Sequence, residues 1–279
     1  MPIHDQGYRR YGGTRAAPGR AWSVIAKAGV RNLLRRRAFL GLLLVSWFPF
    51  FVRAVQIYAA ANLPQAEFLR PDARMFRQFL EQQEIFLFFI TVYAGAGLIA
   101  SDRRTNALQI YLAKPLTRVE YVFGKFAVLA AFLLLVSWVP AIVLLLVQIM
   151  FSGSFRFVVD NLFLFPAITL FSFIQVAAVA LAMLALSSLS NSSRFVGILY
   201  AALLFFSQAV YGVVLLITRN TGLAWLSMAS NLAQIGDAIF GLPLRYRMPV
   251  PVALLAVAVL VGISVFILER QVRGVEVVT

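Results

Sequence analysis

Long apolar runs alternate with short polar segments along the chain. Six of these runs approach or exceed the roughly 20 residues that an α-helix needs to cross a hydrocarbon core of about 30 Å. The predicted spans cover residues 38–61, 84–100, 120–150, 161–189, 194–217 and 249–268. The pattern therefore predicts an all-α polytopic membrane protein with six transmembrane helices.

Two segments precede the first predicted span. Residues 1–20 are rich in Arg, Gly and Tyr and lack an apolar period, which predicts a flexible cytoplasmic tail. In residues 21–37 the apolar and basic side chains fall on opposite helical faces. The apolar face has Trp22, Ile25, Ala26, Gly29 and Leu33, and the basic face has Lys27, Arg31 and Arg35. We expect an amphipathic interfacial helix here, followed by the transmembrane domain of residues 38–279.

Two further segments interrupt the series of spans. Residues 62–83 are polar and of mixed charge, and they are interpreted as the connection between spans 1 and 2. Residues 218–248 are semi-hydrophobic but broken by glycine and proline at Gly222, Gly236, Gly241 and Pro243. Because neither half of that segment is long enough to cross a membrane, it predicts short re-entrant helices before span 6.

Composition and charge support the membrane assignment and orient the chain. Because 61% of the residues are hydrophobic and only 13% are charged, membrane lipids must form part of the solvent of the folded chain. A net charge of +14 is also typical of proteins that bind nucleic acid. In this chain, however, nine of the 25 Lys and Arg residues precede span 1. Six spans place 17 basic residues on one side and seven on the other. The positive-inside rule then puts both termini in the cytoplasm, and no nucleic-acid partner is expected.

Residue types argue against catalysis by this chain. Cysteine is absent, and the one histidine, His4, lies in the polar tail. No thiolate or histidine site can be assembled, so neither catalytic residues nor a metal site is expected. The chain also lacks the Gly-rich loop ending in Gly-Lys-Ser or Gly-Lys-Thr that cradles phosphates, because Gly124-Lys125 is followed by Phe126.

Some polar side chains inside the spans are candidates for contact with a substrate. Gln175, Gln208 and Arg53 are candidates for a substrate route. The alternative roles are hydrogen bonding between helices for the two glutamines and snorkelling to the outer headgroups for Arg53. The acidic residues closest to the spans sit at predicted span ends, which disfavours a secondary transporter with ionisable groups near mid-membrane.

The loop at residues 101–119 carries the most specific pattern. Residues 103–113 can form a short helix with Leu108, Tyr111 and Leu112 near one face, and Pro115 ends it. Thr117 and Glu120 are spaced as a capping box that starts span 3. Such a helix, joined rigidly to a transmembrane helix, suits a docking surface for a partner protein.

This loop resembles that of the type-2 ABC transporter permeases, the ABC-2 type membrane subunits. The family pattern runs Gly-Thr-Leu-Glu, three apolar residues, a small residue, a basic residue and Pro, followed by Arg and Gly-Lys. The matching residues are Leu108, Ile110, Tyr111, Leu112, Ala113, Lys114, Pro115, Arg118, Gly124 and Lys125. The chain departs at Asn106, Ala107 and Gln109, where Gly, Thr and Glu are usual. Asn replaces Gly at helix boundaries, and Gln keeps the size of Glu without its charge.

The resemblance implies a coupling helix that docks into a groove on a nucleotide-binding subunit. The docking residues that it implies are Thr105, Asn106, Leu108, Gln109, Tyr111, Leu112, Lys114 and Pro115. Two ATPase subunits and a second permease copy are the implied partners. ATP and Mg²⁺ then belong to the ATPase subunits, and this chain holds no cofactor. Export across the plasma (inner) membrane of a prokaryote is also implied.

One alternative from another class shares the same loop. A membrane anchor that recruits a cytoplasmic partner needs the docking surface but no substrate route. The broken segment 218–248 favours transport, because interrupted helices at membrane depth are tolerated mainly beside protein or a cavity.

Overall fold

The computed structural model describes residues 21–63, 71–107, 117–151 and 162–272, which form helices and turns with no strand among them. The first helices are α1 (Ala21–Leu34), α2 (Arg37–Ser46), α3 (Phe48–Asn62), α4 (Ala73–Gln82), α5 (Glu84–Ile90) and α6 (Ala100–Arg104). The others are α7 (Arg118–Val136), α8 (Trp138–Phe151), α9 (Leu164–Leu189), α10 (Ser193–Thr218), α11 (Met228–Ile239) and α12 (Val250–Gln271). A π-helix at Thr91–Gly95 follows α5, and a 3₁₀-helix at Thr221–Leu226 precedes α11.

Six helical stretches in the described residues are long and apolar enough to cross a membrane, which confirms the predicted number of spans. They are span 1 (Arg37–Asn62), span 2 (Ala73–Arg104), span 3 (Arg118–Phe151), span 4 (Leu164–Leu189), span 5 (Ser193–Thr218) and span 6 (Val250–Gln271). Between spans 5 and 6 lie the 3₁₀-helix and α11, both too short to cross.

Span 4 is the central helix of the fold. In the most apolar 18-residue stretch of span 4, 67% of the residues are buried. The corresponding share is 6% for span 5 and 17% each for spans 1 and 6. Span 4 supplies Val176 and Met183 to one apolar core cluster and Ile168 and Phe171 to another. The outer spans keep most of their apolar surface away from the rest of the chain. Such a surface would aggregate in water, whereas in a bilayer it faces a matching solvent.

Span 2 begins earlier than the apolar run suggested. The sequence shows only a polar connection up to residue 83, but the structure starts a helix at Ala73. The Asp72 side chain caps this helix by accepting a hydrogen bond of 2.9 Å from the backbone N–H of Met75. Phe76 and Phe79 on one face are fully buried. Tertiary packing of this amphipathic face therefore outweighs the many polar side chains of α4, and Glu84 lies inside a continuous helical stretch.

Helix α1 packs along span 3. The rings of Trp22 and Phe123 meet edge to face with centroids 5.1 Å apart, and Leu33 is buried. Gly124 permits this approach, because a Cβ there would lie 2.9 Å from the Cβ of Ile25. The basic residues Lys27, Arg31 and Arg35 are exposed. The apolar face of α1 thus contacts span 3, and its predicted place at the membrane surface stays a prediction.

Gly95 lies at a close contact of span 2 with spans 3 and 4. A Cβ at Gly95 would lie 2.5 Å from Met183 Cγ and 3.0 Å from a methyl group of Leu129. We expect Gly95→Leu to destabilise the folded protein by about 1–3 kcal/mol, because a larger side chain overpacks a filled core. Thermal unfolding in detergent measures this loss.

A matched control for this overpacking is Gly262→Leu in span 6, where no atom lies within 4 Å of the added Cβ. This control introduces the same side chain at an open helical position. We expect it to leave the melting temperature unchanged or slightly raised, because leucine has the higher helix propensity. Equal melting temperatures for the two variants would contradict close packing at Gly95.

Candidate functional site

The structure describes both ends of the predicted docking loop between spans 2 and 3. Residues 108–116 lie outside the described ranges. This segment includes the predicted docking residues Leu108, Gln109, Tyr111, Leu112, Lys114 and Pro115, whose roles stay predictions. The described ends contain Thr105 and Asn106 after α6, and Thr117 and Glu120 at the start of α7.

Asn106 turns the chain away from α6 in a left-handed backbone conformation, with φ of +54°. Before it, the Thr105 hydroxyl donates to the Ser101 carbonyl over 3.0 Å. Among residues with a Cβ, asparagine is one of the few that adopt left-handed geometry readily. This geometry gives a physical reason why Asn can stand where the loop pattern has Gly.

The start of span 3 has a complete capping box. The Thr117 hydroxyl oxygen accepts from the backbone N–H of Glu120 at 3.2 Å. The Glu120 carboxylate accepts in turn from the backbone N–H of Thr117 at 3.0 Å. Both bonds satisfy helix-terminal donors that have no partner inside the helix. The capping box therefore stabilises the first turn of span 3, directly after the loop.

An ionic and hydrogen-bonded pin joins the two ends of the loop. The Asp102 carboxylate oxygen Oδ2 lies 2.7 Å from Lys125 Nζ and accepts a hydrogen bond of 2.7 Å from the Tyr121 hydroxyl. The Asp102 and Lys125 side chains are only 18% and 12% exposed. Because Asp102 belongs to span 2 and both partners belong to span 3, the pin holds the loop ends together. Charge-assisted bonds with limited solvent access are stronger than exposed ion pairs.

Span 2 is broken immediately before this pin. After the π-helix at Thr91–Gly95, the chain makes a turn before α6. The Ser187 hydroxyl of span 4 accepts from the backbone N–H groups of Ile99 and Ala100 at 3.1 and 3.0 Å. It also donates to the Ala96 carbonyl at 2.9 Å. Span 4 therefore completes the hydrogen bonding of a non-helical turn that leads directly to the loop.

A cavity of about 280 Å³ lies between spans 2, 4 and 5 and helix α11. It brings together Gln175 and Gln208, two of the three residues predicted for a substrate route. The Ser227 hydroxyl, at the start of α11, donates to Gln208 Oε1, so Gln208 links two helices. Gln175 is 2% exposed, and its Oε1 has no hydrogen-bond partner among the described residues. Bonding between helices thus accounts for Gln208 but leaves the Gln175 oxygen unexplained.

The structure does not bring Arg53 to this cavity. Its Nη1 donates to Gln56 Oε1 at 2.8 Å within span 1, and its Nε donates to Gln82 Oε1 at 3.3 Å at the end of α4. Arg53 therefore links span 1 to the amphipathic start of span 2, apart from Gln175 and Gln208.

A charged cluster ties α4 to helix α11 and the turn that follows it. Asp237 of α11 lies 3.4 Å from Arg77 Nε and 2.7 Å from Arg245 Nε. Glu81 lies 3.3 Å from Arg77 Nη2 and 2.5 Å from Arg245 Nη2. Two arginines and two carboxylates thus alternate in a four-membered ring, and each charge has two opposite neighbours.

Arg77 is the deepest member of the cluster, with 0% exposure. Its guanidinium carbon lies 4.6 Å from the Phe171 ring centroid. Gly236 leaves room for it, since a Cβ there would overlap the guanidinium. For Arg245, burial lowers the guanidinium pKa, but the Asp237 hydrogen bond and the neighbouring carboxylates outweigh burial and raise that pKa overall. Arg245 stays charged and keeps the cluster intact.

Sequence reasoning missed several of these residues. Asp102 and Lys125 belong to the loop region that the sequence singled out, but their pairing depends on how the loop folds back. Arg77 and Glu81 have the i,i+4 spacing of a helical ion pair, a signal that was available in the sequence. No local signal pairs Asp237 with Arg77, or Ser187 with the turn in span 2, because these partners are far apart in the sequence.

Comparison with known proteins gives one family match. The model of the family described as "ABC-2 family transporter protein" matches residues 23–266, which cover most of the chain. No curated protein matches it significantly. The matched region includes all six spans up to the last turn of span 6, the loop between spans 2 and 3, the cavity and the charged cluster.

Proposed function

The chain belongs to the ABC-2 family of transporter proteins and is thus a membrane permease subunit of an ABC transporter, and we propose that it exports its substrate. ABC ATPase subunits associate with permeases of this family. In our proposal two such subunits hydrolyse ATP and dock on the loop at residues 101–119. A second permease copy completes the transport route. The complex resides in the plasma membrane of a prokaryote, with both termini in the cytoplasm.

The observation that carries the docking proposal is the pinned junction at both ends of the loop. Asp102 and Lys125 tie span 2 to span 3 at 2.7 Å, and the capping box of Thr117 fixes the start of span 3. Movement of a partner bound to the loop would therefore be passed to both spans. The turn of span 2, whose backbone groups bond to Ser187, is the point at which span 2 can bend in response.

The cavity favours transport over a purely anchoring role. A membrane anchor needs tight contacts between its helices and gains nothing from a cavity between them. Here a space of about 280 Å³ has a buried glutamine with an unpaired oxygen and lies beside a helix too short to cross the membrane. Such features are typical of a route for a solute.

Copurification tests the ATPase partnership. We expect the full-length tagged chain, coexpressed with an ABC ATPase subunit from the same organism, to elute with that subunit from a detergent extract of membranes. The family membership gives the reason, since a permease alone has no source of energy. Elution of the chain without any ATPase under mild detergent would contradict the proposal.

A distance measurement in the same complex separates a transporter from an anchor. The chain contains no cysteine, so spin labels can be attached at Leu63→Cys and Arg219→Cys, at the ends of spans 1 and 5. Both native residues are exposed. We expect the label distance to change when ATP binds to the complex and to stay constant for the chain alone. An unchanged distance with ATP bound would favour the anchor.

A further inference from the structure

The cavity between spans 2, 4 and 5 contains an acidic side chain. Glu84 lines it together with Gln175 and Gln208. The helical stretch begins at Ala73, so Glu84 lies about 17 Å along it, at a rise of 1.5 Å per residue. Gln175 and Phe205, on two other walls, are near the midpoints of 26-residue spans. Glu84 is therefore an ionisable group facing a cavity at the middle level of spans 4 and 5. Such residues are costly in a membrane and generally functional.

The nearby charged cluster is balanced without Glu84. Arg77 and Arg245 are matched in number by Glu81 and Asp237, and all four lie within ion-pair distances of their neighbours. Arg77, Glu81 and Arg245 also act on Glu84 electrostatically. However, the described residues include no ion-pair partner within 4.0 Å of the Glu84 carboxylate and no hydrogen bond to it. The Glu84 carboxyl group thus lies outside the balanced ring of charges, and a bound ammonium group beside it would favour its ionised form.

Aromatic rings line the same cavity as the Glu84 carboxyl group. Phe88 stacks on Tyr200 with centroids 6.0 Å apart and meets Phe205 edge to face at 5.6 Å. All three residues line the cavity. The faces of aromatic rings attract cations, and a carboxylate among such rings strengthens that attraction. The unpaired Oε1 of buried Gln175 offers an acceptor for an N–H donor on the same ligand.

We propose that this cavity binds the transported compound and that the compound is an amphipathic amine. Its protonated nitrogen donates to the Glu84 carboxylate and to Gln175 Oε1, and its apolar body packs against Phe88, Tyr200 and Phe205. The other apolar walls, among them Leu87, Val179 and Leu232, select for the hydrocarbon part. The assignment of this ligand as cargo rests on the proposed transport function, whereas its binding can be measured on the permease alone.

Binding of three compounds with the same phenylbutyl body tests the inference. They are 4-phenylbutylamine, 4-phenylbutanol and 4-phenylbutanoate, which are cationic, neutral and anionic at neutral pH. We expect the full-length chain in nanodiscs to bind the amine at least tenfold more tightly than the alcohol and not to bind the carboxylate. Equilibrium dialysis against protein-free nanodiscs corrects for partition into lipid. Equal binding of amine and alcohol, or binding of the carboxylate, would overturn the proposal.

Variants locate the site. Glu84→Gln should weaken amine binding at least tenfold and leave alcohol binding unchanged, because it removes the charge and keeps the shape. The matched control is Glu269→Gln at the exposed end of span 6, which should bind the amine as the native chain does. Unchanged amine binding by Glu84→Gln would place the amine elsewhere. The compound series on the native chain decides the question even if Glu84→Gln fails to fold. Copurification with the ATPase is an independent measurement. A negative result for amine binding would therefore contradict the proposed ligand but not the permease function.

Discussion

Replacing Leu108 or Tyr111 with glutamate is expected to abolish copurification of the ATPase subunit. In the proposed complex these side chains enter an apolar groove on the partner. Burying a carboxylate there without a partner costs several kcal/mol, and each 1.4 kcal/mol is a factor of ten in affinity. Losses of binding free energy above about 2 kcal/mol are typical when residues at the centre of an interface are substituted. We therefore expect the affinity for the ATPase subunit to fall by a factor of about 100 or more. The ATP-dependent conformational change should be lost as well.

The control for these variants introduces the same charge far from the loop. Leu244→Glu replaces a leucine that is 47% exposed in the connection between α11 and span 6. It should leave ATPase copurification at the native level. All three variants should insert into membranes in similar amounts, since none alters a span. If Leu108→Glu and Tyr111→Glu retain the ATPase as Leu244→Glu does, the loop is not the docking surface.

Asp237→Asn should cause a large loss of stability, because Asp237 pairs with both Arg77 and Arg245. It leaves the fully buried Arg77 with only Glu81 as a carboxylate within ion-pair distance, and it replaces one of the two oxygens that accept from Arg245 with an amide N–H donor. Removing one partner of a buried ion pair typically costs about 3–5 kcal/mol, because the remaining charge is desolvated without compensation. Thermal unfolding in detergent measures the loss.

Two comparisons make this stability prediction specific. Glu269→Gln removes a carboxylate from an exposed position and should change stability by less than about 0.5 kcal/mol. The double variant Arg77→Met with Asp237→Leu removes both charges and should recover part of the loss, because apolar residues of similar size can replace a buried ion pair. A melting temperature for Asp237→Asn equal to that of the native protein would show that the cluster is not holding α11 against α4.

The charged cluster links two parts of the proposed transport route. Arg77 belongs to the same helical stretch as Glu84, and Asp237 belongs to α11, which also lines the cavity. The cavity wall formed by α11 and the turn after it is thus attached to span 2 by two ion pairs, Arg77–Asp237 and Arg245–Glu81. Span 2 continues past its π-helix to the pinned loop. A substrate and an ATPase would therefore act on the same transmembrane element from its two ends.

Local patterns in the sequence predicted those features that depend on neighbouring residues. The spacing of Thr117 and Glu120 predicted the capping box, since both partners lie within one helical turn. The period of residues 21–37 predicted the two faces of α1, and Asn106 matched a glycine position because the backbone there is left-handed. In each case the interacting atoms are brought together by local backbone geometry alone.

The start of span 2 shows where local pattern was insufficient. Residues 73–83 have too many polar side chains to resemble a span, so the sequence suggested only a connection. The helix exists because Phe76 and Phe79 are buried against other helices, and because Arg77 meets Asp237 across a large separation in sequence. Glu84 consequently moved from a predicted span end to the wall of a cavity.

The sequence by itself determined that this protein spans a membrane six times and which loop resembles a docking element, and its charge distribution predicts the orientation of the termini. Hydrophobic run length, charge distribution and turn chemistry are properties of contiguous residues, so no folding information was needed. Only the tertiary structure decided that Gln175 and Gln208 share a cavity with Glu84, and that Asp102 pins the loop. Contacts between helices distant in sequence depend on how those helices pack, and side-chain spacing along one chain does not encode that packing.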